Sequence, residues 1–266
     1  MVSIFQKIHV AYYLYWGFQT KQKQGFTLVE ISIVIVIIGF LIAGLLIGQS
    51  MLRNSRVRAI TAEVANYTLA ISNFRDKYQA LPGDFAGASS VWSGVSNGNG
   101  DGLITVNISN ANLAEQFLAW QHLSKAEMIK GTFTGAAGSA GVRDRVPGDN
   151  VPASQLSNAG WGLISITLTD IAGGYVQIPY TAPDMAPNHV LWIGRGSVSG
   201  TSDSQKPVLS PHEANDIDTK SDDGLPGSGK IVAQANGTTG TCSNSATDYN
   251  LGVNTTVCAL VFKTGF

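Results

Sequence analysis

The pattern of hydrophobic positions changes character along the first eighty residues of this 266-residue chain. Residues 26–47 are almost uninterruptedly apolar, enough to cross the roughly 30 Å hydrocarbon core of a bilayer as a helix. Beyond them, large nonpolar residues recur three and four positions apart, whereas polar residues such as Glu63 fall outside this stripe, which predicts a helix with one buried face. The stripe consists of Val57, Ile60, Val64, Tyr67, Ile71, Phe74 and Tyr78. Because no proline separates the two patterns, we predict one helix over residues 26–80, ended by "LPGD" at Leu81–Asp84.

The rest of the chain, residues 81–266, predicts a globular head with mixed elements. Residues Asn112–Gly131 have the pattern of a helix, and "SPHE" predicts a second helix start, with Ser210 as cap, Pro211 in the first turn and Glu213 completing a capping box. Short strands are predicted at Gly162–Ile171, Gly174–Tyr180, His189–Gly194, Lys230–Ala235 and Cys258–Lys263. A long helix packed on a small antiparallel sheet with long loops is an α+β fold.

Charge and motif content argue against several classes of function. The formal net charge is −1, and Lys7, Lys21 and Lys23 precede the apolar block, so the remainder is mildly acidic and nucleic-acid binding is not indicated. The four histidines are scattered and no nucleophile motif occurs, so we predict no enzyme. "GLPGSGKI", Gly224–Ile231, lacks the hydroxyl residue of a phosphate-binding loop, and we predict a turn.

Two cysteines, Cys242 and Cys258, lie close together near the C-terminus. A disulfide between them would close a loop of about 15 residues and contribute about 3 kcal/mol to stability. Such a bond implies an oxidising compartment such as a periplasm. The alternative is two unrelated buried thiols.

Two acidic or amide-rich segments are candidate cation sites. The carboxylates of Asp216, Asp218, Asp222 and Asp223 lie close in sequence, and a calcium ion would relieve their mutual repulsion; the favoured alternative is a solvated helix end. "NGNGDGLI", Asn97–Ile104, has the first half of a calcium-loop pattern, but Ile108 stands where a bidentate Glu belongs, so a flexible turn is favoured. We expect no cofactor apart from this possible calcium.

The apolar block contains a single carboxylate, Glu30, which is costly to place in a bilayer and therefore needs a partner or a function. Its surroundings, "KQKQGFTLVEISIVIVIIG" at Lys21–Gly39, closely resemble the N-terminus of type IV pilins and of the pseudopilins of type II secretion. The resemblance implies that residues 1–25 are a leader, that prepilin peptidase cuts after Gly25, and that Phe26 becomes the N-methylated first residue. It also implies that Glu30 guides assembly, by pairing with the new amine on a neighbouring subunit.

The resemblance further implies a location and a set of partners. The subunit would span the inner membrane once through residues 26–47, with its head in the periplasm, and would then join other pilin-like subunits through an inner-membrane assembly platform. The small-residue spacing of Gly44 and Gly48 would let such helices approach closely. We predict a structural subunit of a pilus-like filament; the alternatives are a pseudopilin and a membrane-anchored periplasmic domain that does not polymerise.

Overall fold

The chain forms two compact units, Met1–Gln49 and Ser50–Phe266, and one long helix contributes residues to both. A computed structural model describes both units. Residues 1–24 of the predicted leader lie outside the described residues, as do the predicted strand Gly174–Tyr180 and residues 167–171 at the end of the first predicted strand. The described residues are 25–105, 114–139, 141, 144–166, 188–195, 206–235 and 241–265.

The predicted N-terminal helix is present as α1, Leu28–Tyr78. It ends before the proline of "LPGD", because Gln79 adopts a left-handed conformation with φ of +51°. The Gln79 N–H still donates to the Arg75 carbonyl at 2.8 Å, and its side-chain amide donates to the Asp76 carbonyl at 2.9 Å. The end of the helix is thus set by a left-handed residue that satisfies two of the last four carbonyls, those of Arg75 and Asp76.

Among the described residues three shorter helices follow: α2, Ala88–Val91; α3, Glu115–Lys125; and α4, Pro211–Ser221. The capping box predicted for α4 is present, since the Ser210 hydroxyl accepts from the Glu213 N–H and the Glu213 carboxylate accepts from the Ser210 N–H.

Helix α3 ends earlier than predicted. Glu127 has a φ of +60°, and the Met128 N–H donates to the Leu123 carbonyl at 3.0 Å, which is the hydrogen bond of a Schellman motif formed without glycine. The Ser124 hydroxyl donates to the Gly131 carbonyl, so the segment after Lys125 turns back on the helix instead of extending it.

Four antiparallel strands in the described part of the chain form one sheet in the order β1, β2, β4, β3. Every described predicted strand is present, with bounds that differ by at most a few residues. Trp161 in β1 faces Ile193 in β2, and Leu260 in β4 lies between Ile193 and Ala233 of β3. The strands are β1, Ala159–Ile166; β2, Asn188–Arg195; β3, Ile231–Ala235; and β4, Cys258–Lys263.

The core of the second unit lies between the sheet and the striped face of α1. Ile60, Ile71 and Phe74 are at most 1% exposed, and Tyr67 packs edge-on against Trp120 and Trp161 with ring centroids 5.2 and 5.7 Å apart. Burying side chains of this size contributes on the order of 1.5–3 kcal/mol each. The α+β class predicted from the sequence is confirmed.

Glu63 departs from the simple stripe. Its carboxylate accepts hydrogen bonds from the Ser154 hydroxyl at 2.7 Å, the Gln155 N–H at 2.8 Å and the Trp161 indole N–H at 2.8 Å. Trp161 is fully buried, so its N–H needs an acceptor that the sheet does not supply. A residue expected on the solvent side therefore joins α1 to the head.

Candidate processing and assembly segment

The predicted cleavage point lies just before α1. Gly25, Phe26 and Thr27 precede the helix and are all exposed, Phe26 by 82%. A peptide bond outside regular secondary structure and open to solvent is accessible to a peptidase. This arrangement agrees with the cleavage prediction without testing it.

Glu30 has a hydrogen-bonding partner at the cap of its own helix, Thr27, which was not predicted from the sequence. One carboxylate oxygen accepts from the Thr27 N–H at 2.8 Å and from the Thr27 hydroxyl at 2.8 Å, while the Thr27 hydroxyl lies 3.2 Å from the Glu30 N–H. This reciprocal arrangement is a capping box, and the T-x-x-E spacing of Thr27 and Glu30 was the signal for it. The carboxylate is thereby held beside the start of the helix, close to where cleavage would create an amine.

The apolar block exposes its side chains on all sides within its own unit. Large apolar residues between Phe26 and Leu52 are 44–90% exposed. A Cβ added at Gly39, Gly44 or Gly48 would meet no other atom within 4 Å, so these glycines leave open surface for another helix. Within the described residues α1 is the one helix long and apolar enough to cross a membrane.

The structure divides the predicted calcium cluster. Oxygens of Asp218, Asp222 and Asp223 lie within 4.8 Å of one another, whereas Asp216 pairs with Arg53 at 3.5 Å. A second pair, Arg56 with Glu213 at 3.1 Å, joins the same two helices.

The three clustered carboxylates all have donors from the protein. Asp218 is fully buried and accepts from the Tyr249 hydroxyl at 2.7 Å and the Gly224 N–H at 3.1 Å. Asp222 accepts from the Ile231 N–H, and Asp223 from the Leu225 N–H. Burial raises the pKa of Asp218 to about 7. Protonation of Asp218 would therefore reduce the repulsion among the three carboxylates without a bound ion. Calcium binding here stays a prediction.

A second acidic group, not predicted, holds the glycine-rich loop. Asp84 is 3% exposed, and its carboxylate accepts from the N–H groups of Gly100, Asp101 and Gly102 at 2.6–3.0 Å. Glu115 accepts from the Asn99 N–H at 3.0 Å. These carboxylates hold the loop, and oxygens of Asp84, Asp101 and Glu115 lie within 4.8 Å of one another, so the choice between a turn and a calcium loop stays a prediction. Ile108 lies outside the described residues.

The predicted disulfide between Cys242 and Cys258 is present, with Cα atoms 5.0 Å apart. Cys258 is the first residue of β4, and its N–H and carbonyl also bond to Leu209, just before α4. The bond therefore ties the 241–250 segment, which supplies Tyr249, to the sheet.

Two histidines, His122 and His189, form hydrogen bonds that stabilise the fold. His122 is fully buried; its Nδ1 accepts from the Gly83 N–H at 3.0 Å and its Nε2 faces the Ser96 carbonyl at 3.0 Å, while burial lowers its pKa to about 4. His189 bonds the cross-strand Ser165 hydroxyl at 2.6 Å. The Ser165 hydroxyl also accepts from the Ile104 N–H. Ser165 therefore joins strand β1 to the loop that contains Ile104.

Comparison with protein families identifies the N-terminal segment. Residues 20–46 match the model of the prokaryotic N-terminal methylation motif. This is the signature of type IV pilins and pseudopilins, and it confirms the resemblance found in the sequence. The motif supports a type IV pilin-like or pseudopilin subunit, processed by prepilin peptidase and assembled with other pilin-like subunits. No curated protein and no solved structure shows significant similarity to the chain.

Proposed function

We propose that this chain is a structural subunit of a type IV pilus-like filament. Prepilin peptidase cuts it after Gly25, Phe26 is N-methylated, and the inner-membrane platform moves the subunit from the bilayer into the filament. The head then lies on the filament surface. The observation that carries the proposal is the exposed apolar segment with one carboxylate, Glu30, held at the start of its helix.

The exposed segment needs an apolar environment that the chain does not supply. Contiguous apolar surface of this kind does not persist in water, so lipid or other copies of the segment must cover it. Lipid alone accounts for the apolar side chains but leaves Glu30 with a cost of about 3 kcal/mol on insertion scales. A neighbouring subunit's Phe26 amine would offset that cost, because two opposite charges removed from water stabilise each other only as a pair.

A pseudopilin of a type II secretion system is the second candidate. It would share the cleavage, the methylation and the helix packing, and its filament would be short and periplasmic. The disulfide between Cys242 and Cys258 fits either location, because both are oxidising. A membrane-anchored domain that never polymerises is the third candidate, and the Glu30 argument disfavours it.

Mass spectrometry of filaments sheared from the cell surface tests the proposal. We expect a peptide that begins at Phe26 and carries one methyl group on its amine. Gly25→Val should leave uncleaved precursor in the membrane, whereas Gly39→Val, the same change at an open glycine away from the cleavage point, should be cut normally. Normal cleavage of Gly25→Val would overturn the processing assignment, and processed protein confined to periplasmic pseudopili would favour the second candidate.

A further inference from the structure

The loop held by Asp84 contains two adjacent Asn-Gly pairs, Asn97–Gly98 and Asn99–Gly100. Asn-Gly is chemically labile because glycine has no side chain to obstruct its own nitrogen. That nitrogen loses its proton to water or hydroxide and attacks the asparagine Cγ; the Cγ–Nδ2 bond breaks and ammonia leaves. Water then opens the resulting succinimide to aspartate or isoaspartate.

Neither asparagine is protected by burial. Asn97, Asn99 and Gly100 are exposed, so water and hydroxide reach the side-chain amides and ammonia can leave. On sequence and exposure alone, both pairs would be expected to deamidate. Protection must therefore come from the way the loop holds the attacking nitrogens.

Both attacking nitrogens are engaged. The Gly98 N–H donates to the Phe85 carbonyl at 3.1 Å, and the Gly100 N–H donates to the Asp84 carbonyl at 3.0 Å and to the Asp84 carboxylate at 2.6 Å. A hydrogen-bonded N–H is directed at its acceptor and away from the side-chain carbon. At Gly100 the carboxylate's negative charge also disfavours the anionic nitrogen that the reaction needs.

The side-chain amides are held as well. The Asn99 oxygen accepts from the Asp101 N–H at 2.9 Å, and its amide nitrogen donates to the Asp101 carboxylate at 2.8 Å. The Asn97 oxygen accepts from the Ser89 N–H at 2.7 Å. Rotation of either amide towards the following nitrogen would break at least one of these bonds.

We propose that Asn97 and Asn99 are latent deamidation sites, which the folded loop keeps unreactive and which local opening of the loop makes reactive. The rate at each site is then the open-loop rate multiplied by the open fraction. Deamidation of Asn99 would place a further negative charge beside Asp84 and Asp101, and like charges at this spacing favour further opening. The loop therefore marks chains that have lost their native structure.

Peptide mapping of the full chain in detergent micelles, incubated at neutral pH with and without urea, measures the two rates. We expect deamidation at both asparagines to be at least about tenfold slower in the native chain, because bonds that hold a loop closed reduce the open fraction. The proposal would be overturned if each asparagine deamidated as fast in the native chain as in the urea-unfolded chain.

The two sites also serve as controls for each other. Asp84→Ala removes the carboxylate that accepts from the Gly100 N–H but leaves the Phe85 carbonyl that accepts from the Gly98 N–H. Deamidation should therefore accelerate more at Asn99 than at Asn97. If this variant does not fold, hydrogen exchange of the wild-type chain decides: the Gly98 and Gly100 amides must be protected. Unprotected amides at both glycines, or an unchanged Asn99 rate in folded Asp84→Ala, would refute the proposed protection.

Discussion

The two parts of helix α1 place similar side chains in opposite environments. In residues 28–49 the large apolar residues are exposed around the whole helix, whereas in residues 50–78 the buried ones lie on one face, with Val57, Ile60 and Phe74 at most 2% exposed. Both parts are rich in β-branched and aliphatic residues. The difference is the distribution of polar residues, which nearly vanish from the first part and cover the outer face of the second.

That distribution reports how many partners surround the helix. One sheet can cover one face, so a helix packed on its own head keeps polar residues elsewhere. A helix that is apolar all round needs an apolar environment on every side, such as lipid or several neighbouring helices. The first part of α1 therefore needs lipid or other helices around it, which its own unit does not provide.

A glutamate in each part sharpens the contrast. Glu30 is hydrogen-bonded to Thr27, the cap of its own helix, whereas Glu63 is hydrogen-bonded to three donors from the head. Removing Glu30 should thus alter assembly without altering the stability of the head, and removing Glu63 should do the reverse.

The largest expected effect is at Glu30. Glu30→Leu should still insert and be cleaved after Gly25, because both steps precede assembly, but should fail to enter filaments when it is the only copy. Thr27→Ala keeps the carboxylate and removes its helix cap, so it separates pairing between subunits from capping within one. We expect Thr27→Ala to assemble far better than Glu30→Leu, as measured by the amount of sheared filament. Equal assembly of Glu30→Leu and wild type would show that the charge has another purpose.

Periodicity was sufficient to predict most of the fold because burial leaves a direct mark on the sequence. The stripe of α1, the strand Cys258–Lys263 and the capping box of Ser210 and Glu213 are all confirmed. The helix ends were less predictable: Gln79 and Glu127 adopt left-handed conformations usually left to glycine or asparagine, and tertiary packing holds them there.

The candidate site was predictable in its residues but not in its contacts. "GFTLVE" predicts roles for Gly25, Phe26 and Glu30, whereas the hydrogen bond between Glu30 and Thr27 follows from the T-x-x-E spacing, a capping signal that is independent of the resemblance. The role of Glu63 was not predictable, since its donors lie more than ninety positions away in sequence. Local patterns show local hydrogen bonds; long-range ones depend on the packing.

The second effect in size is at Glu63. Glu63→Ala leaves the buried Trp161 N–H, the Ser154 hydroxyl and the Gln155 N–H without this acceptor, and hydrogen bonds to a charged group contribute about 1.5–3 kcal/mol. We expect the thermal midpoint of the detergent-solubilised chain to fall by about 5–10 °C. Asn66→Ala, on the exposed side of the same helix, should change it by about 1 °C or less. Similar midpoints for the two variants would place Glu63 outside the contacts that hold the head.

The smallest effect concerns pH, and two buried groups oppose each other in it. Burial raises the pKa of Asp218 from 3.8 to about 7, so between these values the folded head holds a proton that the unfolded chain has lost, and stability falls as pH rises. Burial lowers the pKa of His122 from 6.5 to about 4, so between pH 4 and 6.5 the unfolded chain holds the extra proton and stability rises with pH. The two contributions partly cancel in the wild-type chain.

Asp218→Asn should therefore unmask the His122 contribution. The amide cannot ionise, and it can still bond the Gly224 N–H and the Tyr249 hydroxyl, which can accept as well as donate. We expect the variant to be more stable than wild type at pH 7.5 by about 1–2 kcal/mol, a rise of about 2–6 °C in the thermal midpoint, and to lose stability more steeply as pH falls from 6.5 to 4. Asp223→Asn, which removes a neighbouring charge from an exposed position, should reproduce only a small part of this gain. If calcium occupied the cluster in solution, the ionised carboxylate would be the stabilising form, and Asp218→Asn would lower the midpoint at pH 7.5 unless a chelator were present.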